Sequence, residues 1–216
     1  MSHSLNEIES LAKQAARGTG LSWGMAQEAA KATRWLVSHD LPGVTLLADV
    51  LTQNDHVSHT RIAPTSLDGK WSARSRTLCP LASGVALNDC ADRLASGQSL
   101  EMGQVSHPLL VVPFAAWASL HIEKPVVVTW MSIRVETDGF KIWYADPMGE
   151  IDVPIAESLT CAPANRLDDC AIAPNHRGTP CRTAWALLGV FAGRTHAPAT
   201  AESRRLGAGA GVSDND

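Results

Sequence analysis

The chain has 216 residues, 45% of them apolar and 19% charged, with 22 acidic against 18 basic side chains and a formal net charge of −4. That balance belongs to a globular chain long enough to bury a substantial core, and it excludes a disordered or collagen-like one. Charges of both signs are dispersed, so no basic footprint exists for nucleic acid or for an anionic membrane surface.

Ser4-Leu5-Asn6-Glu7 has the capping-box pattern, in which serine and glutamate reciprocally satisfy the free N–H groups of a helix start. It predicts a first helix with Leu5, Ile8, Leu11, Ala12, Ala15 and Ala16 on one face and a stop at Gly18. Ser22 is placed to cap a second helix whose Trp23, Ala26, Ala30, Thr33 and Val37 form a stripe. His39-Asp40-Leu41-Pro42-Gly43 breaks it, and Leu46, Leu47, Val50 and Leu51 predict a short third helix. Residues 1–52 therefore read as a helical N-terminal section.

Residues 53–80 are polar and turn-rich and read as loop. Val85, Leu87, Cys90, Ala91 and Leu94 predict a helix over 81–94, ended by Gly97. Leu109-Leu110-Val111-Val112 reads as a buried strand, with Pro113 opening the next helix. The apolar run from Leu109 to Ile122 is too short to span a bilayer. Val126 to Val135 carries the strongest strand signal, and neither of its faces is clearly polar, as expected of a central strand covered on both sides. Asp138-Gly139 turns it into a second strand, Phe140 to Tyr144. Residues 145–180 hold five prolines and read as an extended excursion. Thr183 to Ala192 predicts a final helix ended by Gly193, and Thr200 caps one further helical turn. The expected fold is α/β or α+β: a small mixed sheet with packed helices, the helical section at 1–52, and a body at 53–216 ending in a glycine-rich tail, all in one compact domain.

That tail is Arg204-Arg205-Leu206-Gly207-Ala208-Gly209-Ala210-Gly211-Val212-Ser213-Asp214-Asn215-Asp216. Glycines permit close backbone approach, and successive N–H groups of such a loop can form an anion-binding concavity. Gly207, Gly209 and Gly211 would cradle the anion, and Arg204 would supply the counter-charge. Asp214 and Asp216 add hard oxygen ligands or a general base. The spacing is neither a dinucleotide fingerprint nor a phosphate P-loop. A tail that packs along the body or into a second subunit is the alternative.

Together with Leu21-Ser22-Trp23-Gly24-Met25-Ala26-Gln27-Glu28-Ala29, the tail resembles a bacterial family of unknown function. That family is marked by a Trp-Gly-x-Ala-x-Glu-Ala segment near the N-terminus and a Gly-Ala-Gly-Ala-Gly-x-x-Asp-Asn-Asp end. The resemblance implies no activity, cofactor or catalytic residue.

Other candidates are weaker. Cys161, Cys170, His176 and Cys181 have the ligand types of a tetrahedral zinc site but lack the close Cys-x2-Cys pair. Cys79-Pro80, Ser83-Gly84 and Cys90 lie near a helix start, where a thiol pKa can fall, but none sits in a nucleophile signature. His56-x2-His59 is the one close histidine pair and reads as surface loop. Seven tryptophans against one tyrosine and three phenylalanines serve core packing or line an aromatic ligand pocket. Met1-Ser2-His3-Ser4 shows no basic segment leading into an apolar one, and five cysteines form no disulfide framework, so the cytoplasm is the expected compartment.

Two functions are compatible with these features. One is a small-molecule-binding protein or enzyme whose tail closes over an anionic metabolite. The other is a non-catalytic assembly subunit whose tail docks on a partner or on a second copy of itself.

Overall fold

The computed structural model describes residues 2–146, 148–149, 151–165 and 171–195. Helices α1 (Leu5–Gly18), α2 (Trp23–Ser38) and α3 (Gly43–Gln53) follow the two-residue strand β1 (His3–Ser4). The capping box forms: Glu7 N–H donates to Ser4 Oγ at 3.2 Å, and Ser4 N–H donates to the Glu7 carboxylate at 2.7 Å. Ser22 Oγ likewise accepts from Met25 N–H at 3.3 Å and starts α2. The segment read as loop contains one helical turn, α4 (His59–Ile62), and the short strand β2 (Lys70–Trp71). The next helix is split by Cys90 into α5 (Pro80–Asp89) and α6 (Ala91–Ala95).

Strands β3 (Leu100–Met102) and β4 (Val105–Ser106) lead into a 3-10 turn at Pro108–Val111, which runs straight into α7 (Val112–Ile122). The strand expected over 109–112 is thus helical. An apolar run this short carries no period that separates a buried strand from a buried helix. Here Pro108 and Pro113 each sit at a helix start, where a missing N–H costs nothing. Phe114, Ala115, Ala116, Ala118 and Ser119 are all buried, so α7 is covered over its first two turns, and Leu120 and His121 are exposed at its end.

The single strand expected over 126–135 is two strands, β5 (Val126–Trp130) and β6 (Ile133–Thr137), paired antiparallel with Trp130 opposite Ile133. Met131, at φ 47° and 60% exposed, makes the turn. Hairpin turns of this kind are usually signalled by glycine or asparagine, and Met131-Ser132 offers neither. Strand β7 (Ile142–Ala145) pairs with β6 across the expected Asp138-Gly139 turn. The proline-rich excursion supplies β8 (Ile155–Ala156), β9 (Leu159–Pro163) and β10 (Arg177–Gly178) before α8 (Arg182–Gly193).

The fold is α+β. Its main sheet has the order β2-β3-β9-β5-β6-β7, antiparallel except for the β2–β3 pair. The excursion therefore inserts β9 at the middle of the sheet, between β3 and β5. Leu159 and Cys161 point to the core, and Cys161 pairs with Leu100 on one side and Val128 on the other. Two smaller ribbons, β1–β10 and β4–β8, tie distant segments together. Helix α7 lies between the sheet and the other helices, touching β5, β6, α5, α6 and α2, while α8 packs on α1 and α3. Among the described residues no helix is long and apolar enough to cross a membrane.

At the α5–α7 crossing a Cβ on Gly84 would lie 2.2 Å from the Phe114 ring. Gly84→Ala must displace a fully buried ring and is expected to cost about 1–3 kcal/mol. Gly24, near the start of α2, has open space around it, so Gly24→Ala is expected to be neutral or stabilising. Urea unfolding of the two variants checks the contrast.

His107, before the 3-10 turn, is buried with a left-handed backbone at φ 43°. Its N–H donates to Pro154 O at 2.9 Å, Nε2 lies 3.3 Å from Gln53 Nε2, and Nδ1 has no partner among the described residues. Burial holds its pKa below the ordinary 6.5, against the opposing pull of Asp49 and Asp152. The Asp152 carboxyl is pushed upward, also by burial. A depressed histidine contributes stability that is present above pH 6.5 and lost as pH falls through its folded-state value. Asp152 acts in the opposite sense, its contribution being present below 3.8 and lost as pH rises through its folded-state value. His107→Gln is expected to flatten the decline of Tm on the acid side of pH 6.5, measured by thermal unfolding across that range.

Candidate functional site

Several element ends in the N-terminal half of the chain converge on one cavity. Helix α1 stops at Gly18, and Thr19-Gly20-Leu21 turns the chain into the Ser22 cap of α2. Helix α3 ends at Asn54, His56 adopts φ 56°, and the chain enters α4 before Cys79 opens α5. Helix ends carry unpaired backbone groups and turn residues, so polar chemistry collects where they meet. The space enclosed is about 570 Å³, within the size range of small-molecule sites.

Its walls are apolar: Leu21 and Met25 on one side, Val50 and Leu51 of α3 on another, and Ile62 with Leu81 across from them. Asn54, His56, Ser58 and His59 bring polar groups to it. A second cavity of about 340 Å³ shares Asn54, Val57 and Cys79 with the first and adds Gln53, Arg61, Ser75, Thr77 and Ser106. The segment 54–62 thus lines two neighbouring hollows.

Three tethers hold that segment. Arg194 Nη1 donates to both Asp55 carboxylate oxygens at 2.8 Å, anchoring the end of α8 beside His56. His56 N–H donates to Thr19 O at 3.4 Å, and Cys79 N–H donates to Ile62 O at 2.9 Å. On the opposite wall Arg17 bonds Leu21 O and lies over the Trp23 ring, 4.4 Å from its centre.

Cys79 forms the floor between the two hollows and caps a ten-residue helix. Burial pushes its thiol pKa up, although the N–H groups of Leu81 and Ala82 act to lower it. The lowered pKa expected from a helix start is therefore absent: desolvation outweighs the helix end because the sulfur is closed off from water. Cys90 is raised for the same reason. Among the described residues the cysteine whose pKa is lowered is Cys181, the exposed N-cap of α8, through bonds from the Thr183 hydroxyl and the Thr183 and Ala184 N–H groups.

Of the candidate zinc ligands, Cys161 lies inside the main sheet with its thiol pushed to about 12 by burial. Cys181 and His176 are exposed, and Cys170 lies outside the described residues. Among the described residues no cluster of three or more His, Cys, Asp or Glu side chains is gathered for a metal. Arg204, Gly207, Gly209, Gly211, Asp214 and Asp216 all lie outside the described residues, as does the Thr200 turn. The His56/His59 pair, read as surface loop, stands at the cavity: the His56 side chain is 77% exposed, yet both residues line the space. Their spacing was visible in the sequence, but the apolar wall opposite comes from elements up to 40 residues away in the chain, so nothing local marked them.

Residues 3–79 match the family described as a protein of unknown function, DUF3726. The matched range holds the Trp-Gly-x-Ala-x-Glu-Ala segment and most of the cavity lining, up to Cys79, and leaves out the glycine-rich tail. No curated protein and no solved structure matches the chain.

Grafting a large side chain into the cavity tests its structural independence. Met25 is half-buried at the wall, so Met25→Trp is expected to fill the space at a cost of less than about 3 kcal/mol. A cooperative urea transition with an unchanged slope would verify this.

Proposed function

We propose that this protein binds a small anionic metabolite with an apolar body in the 570 Å³ cavity, as a ligand-binding protein or an enzyme. The observation that carries the reading is the cavity itself: apolar walls, a small set of polar groups, and a position inside the segment that matches a protein family. The apolar walls suit a hydrocarbon portion. The anion is favoured by His56 and His59 at the rim, by Arg61 in the adjoining hollow, and by the positive end of α5. Cys79, held as a neutral thiol, shapes the floor.

The tail extends this reading. Arg194 clasps Asp55, so the chain leaves α8 beside the cavity wall. Nine residues separate Arg194 from Arg204, a reach of roughly 30 Å when extended. That length supports a tail that closes over the ligand, with Arg204 as counter-charge and Gly207, Gly209 and Gly211 as the backbone cradle. Asp214 and Asp216 then serve as a base or as cation ligands.

Native mass spectrometry of the purified protein is expected to show an added mass that is lost on denaturation. Short-chain carboxylates such as hexanoate are expected to raise Tm, and Met25→Trp to abolish that rise. Arg204→Ala is expected to weaken binding about tenfold or more, the worth of one charge-assisted hydrogen bond. If no carboxylate moves Tm of the native chain, the reading fails. If truncation after Thr195 leaves the ligand response intact and changes the mass in solution, the tail belongs to assembly.

A further inference from the structure

A separate cavity, of about 440 Å³, lies at the other end of α2, lined by Lys31, Arg34, Trp35, Trp117 and the tip of the β6–β7 hairpin. Its feature is three aromatic faces, each separately held. Trp35 packs against His39 in a tilted arrangement, ring centres 4.1 Å apart and planes at 33°, and its Nε1–H reaches Gly139 O at 3.5 Å. Trp117 packs edge-on against the buried Phe114, 4.9 Å between centres. Phe140, one of three phenylalanines in the chain, is 66% exposed.

The hairpin tip is built to hold that exposed ring. Asp138 Oδ1 accepts from Phe140 N–H at 2.9 Å and from Lys141 N–H at 2.8 Å. Thr137 Oγ1 accepts from Gly139 N–H at 2.9 Å and donates to Lys141 O at 2.8 Å. Gly139 sits at φ 98° with Leu120 where a Cβ would be, so no other residue fits. His39 Nε2 lies 2.9 Å from Phe140 O and ties the tip to α2. A loop whose polar groups are so fully paired does not expose its phenylalanine for want of order. Apolar rings left in water cost free energy, whereas fixed stacking faces bind flat ligands without an ordering cost.

The geometry points to a binding site for a planar aromatic ring bearing a carboxylate, stacked between Trp35, Trp117 and Phe140 with its charge toward Arg34 and Lys31. Lys31, Arg34 and the carboxylate Glu9 line the space, and Lys31 Nζ is itself held by Glu28 Oε1 at 2.9 Å, which leaves the guanidinium as the main donor. Arg34 meets both Glu9, at 2.7 Å, and Asn6, at 2.8 Å, through Nη1 alone, and a guanidinium has further donors in its fork. The site is separate from the first cavity, since one is lined by α2 from Lys31 onward and the other by Ser22 and Met25.

The test uses 2-naphthoate as probe, with cyclohexanecarboxylate as a partner of the same charge and no aromatic face. Isothermal titration of the Met25→Trp variant, whose first cavity is filled, is expected to show 2-naphthoate binding about 3- to 10-fold more tightly than its partner, the range of an aromatic stacking contribution. In the 1H–15N spectrum the Trp35 and Trp117 indole resonances, assigned with Phe replacements, are expected to move while Trp23 stays. Phe140→Ser, at an exposed position, is expected to keep Tm and to weaken 2-naphthoate severalfold, and Arg34→Gln to weaken both carboxylates. Met25→Trp is expected to leave the Trp35 and Trp117 resonance shifts unchanged, which separates this site from the first. Equal affinity for the two carboxylates, unmoved Trp35 and Trp117 resonances, or a Phe140→Ser variant that binds like the native chain would each overturn the inference.

Discussion

Helices α5 and α7 present apolar surface in every direction, and the architecture follows from the need to cover both. Over most of their length neither turns a polar face to water: α7 buries Val112 through Ala116, Ala118 and Ser119, with Trp117 half-buried and Leu120 and His121 exposed at its end, and α5 buries Pro80 through Gly84 with Leu87 and exposes Asp89 at its end. A helix of this kind is stable only when surrounded. The sheet covers α7 through β5 and β6, α6 and α5 cover a second side, and α2 a third. Phe114 locks the crossing by lying against Gly84, where any side chain would hold the helices apart. Each buried Leu, Val or Phe contributes about 1.5–3 kcal/mol against the entropy of ordering the chain.

Both cavities are by-products of that arrangement. Helix α2 lies across the central layer, and the elements that meet its two ends are too short to fill the space there. At its start the chain reverses between α1 and α2, and the ends of α3, α4 and α5 arrive from other directions, leaving the hollow beside Cys79. At its end the hairpin tip at Gly139 and Phe140 reaches over from the sheet, pinned by His39 and Trp35. Each cavity thus joins side chains far apart in sequence, held by backbone anchors rather than by loops free to rearrange. The Asp55–Arg194 pair does the same for the end of α8, bringing the last described residues beside the first cavity.

Legibility in the sequence tracked the range of the forces involved. The capping box at Ser4, the Ser22 cap and the break at Leu41-Pro42-Gly43 are local effects, decided within four residues, and each stands where expected. The Asp138-Gly139 turn also stands. The differences between expectation and structure are of another kind. Leu109 to Val112 was apolar without a period, and the flanking elements decided that it would be helical. Met131 takes a left-handed turn that its own chemistry does not favour, imposed by the pairing of Trp130 with Ile133. Strand β9 hid among prolines because its neighbours, β3 and β5, come from earlier parts of the chain.

The candidate sites divide in the same way. His56, His59, Cys79 and the tryptophans were visible as residue types, but their roles depended on what stood opposite. The Cys79 thiol shows why: a helix start lowers a thiol pKa and burial raises it, and only the packed structure decides that burial wins. By itself the sequence determined the N-terminal helices, the caps and a mixed helix-and-strand class, with α/β and α+β both open, because periodicity, capping and composition act over a few residues. The tertiary structure alone decided the order of the sheet, the helical state of the central run and the two cavities, because each depends on contacts between segments that only folding brings together.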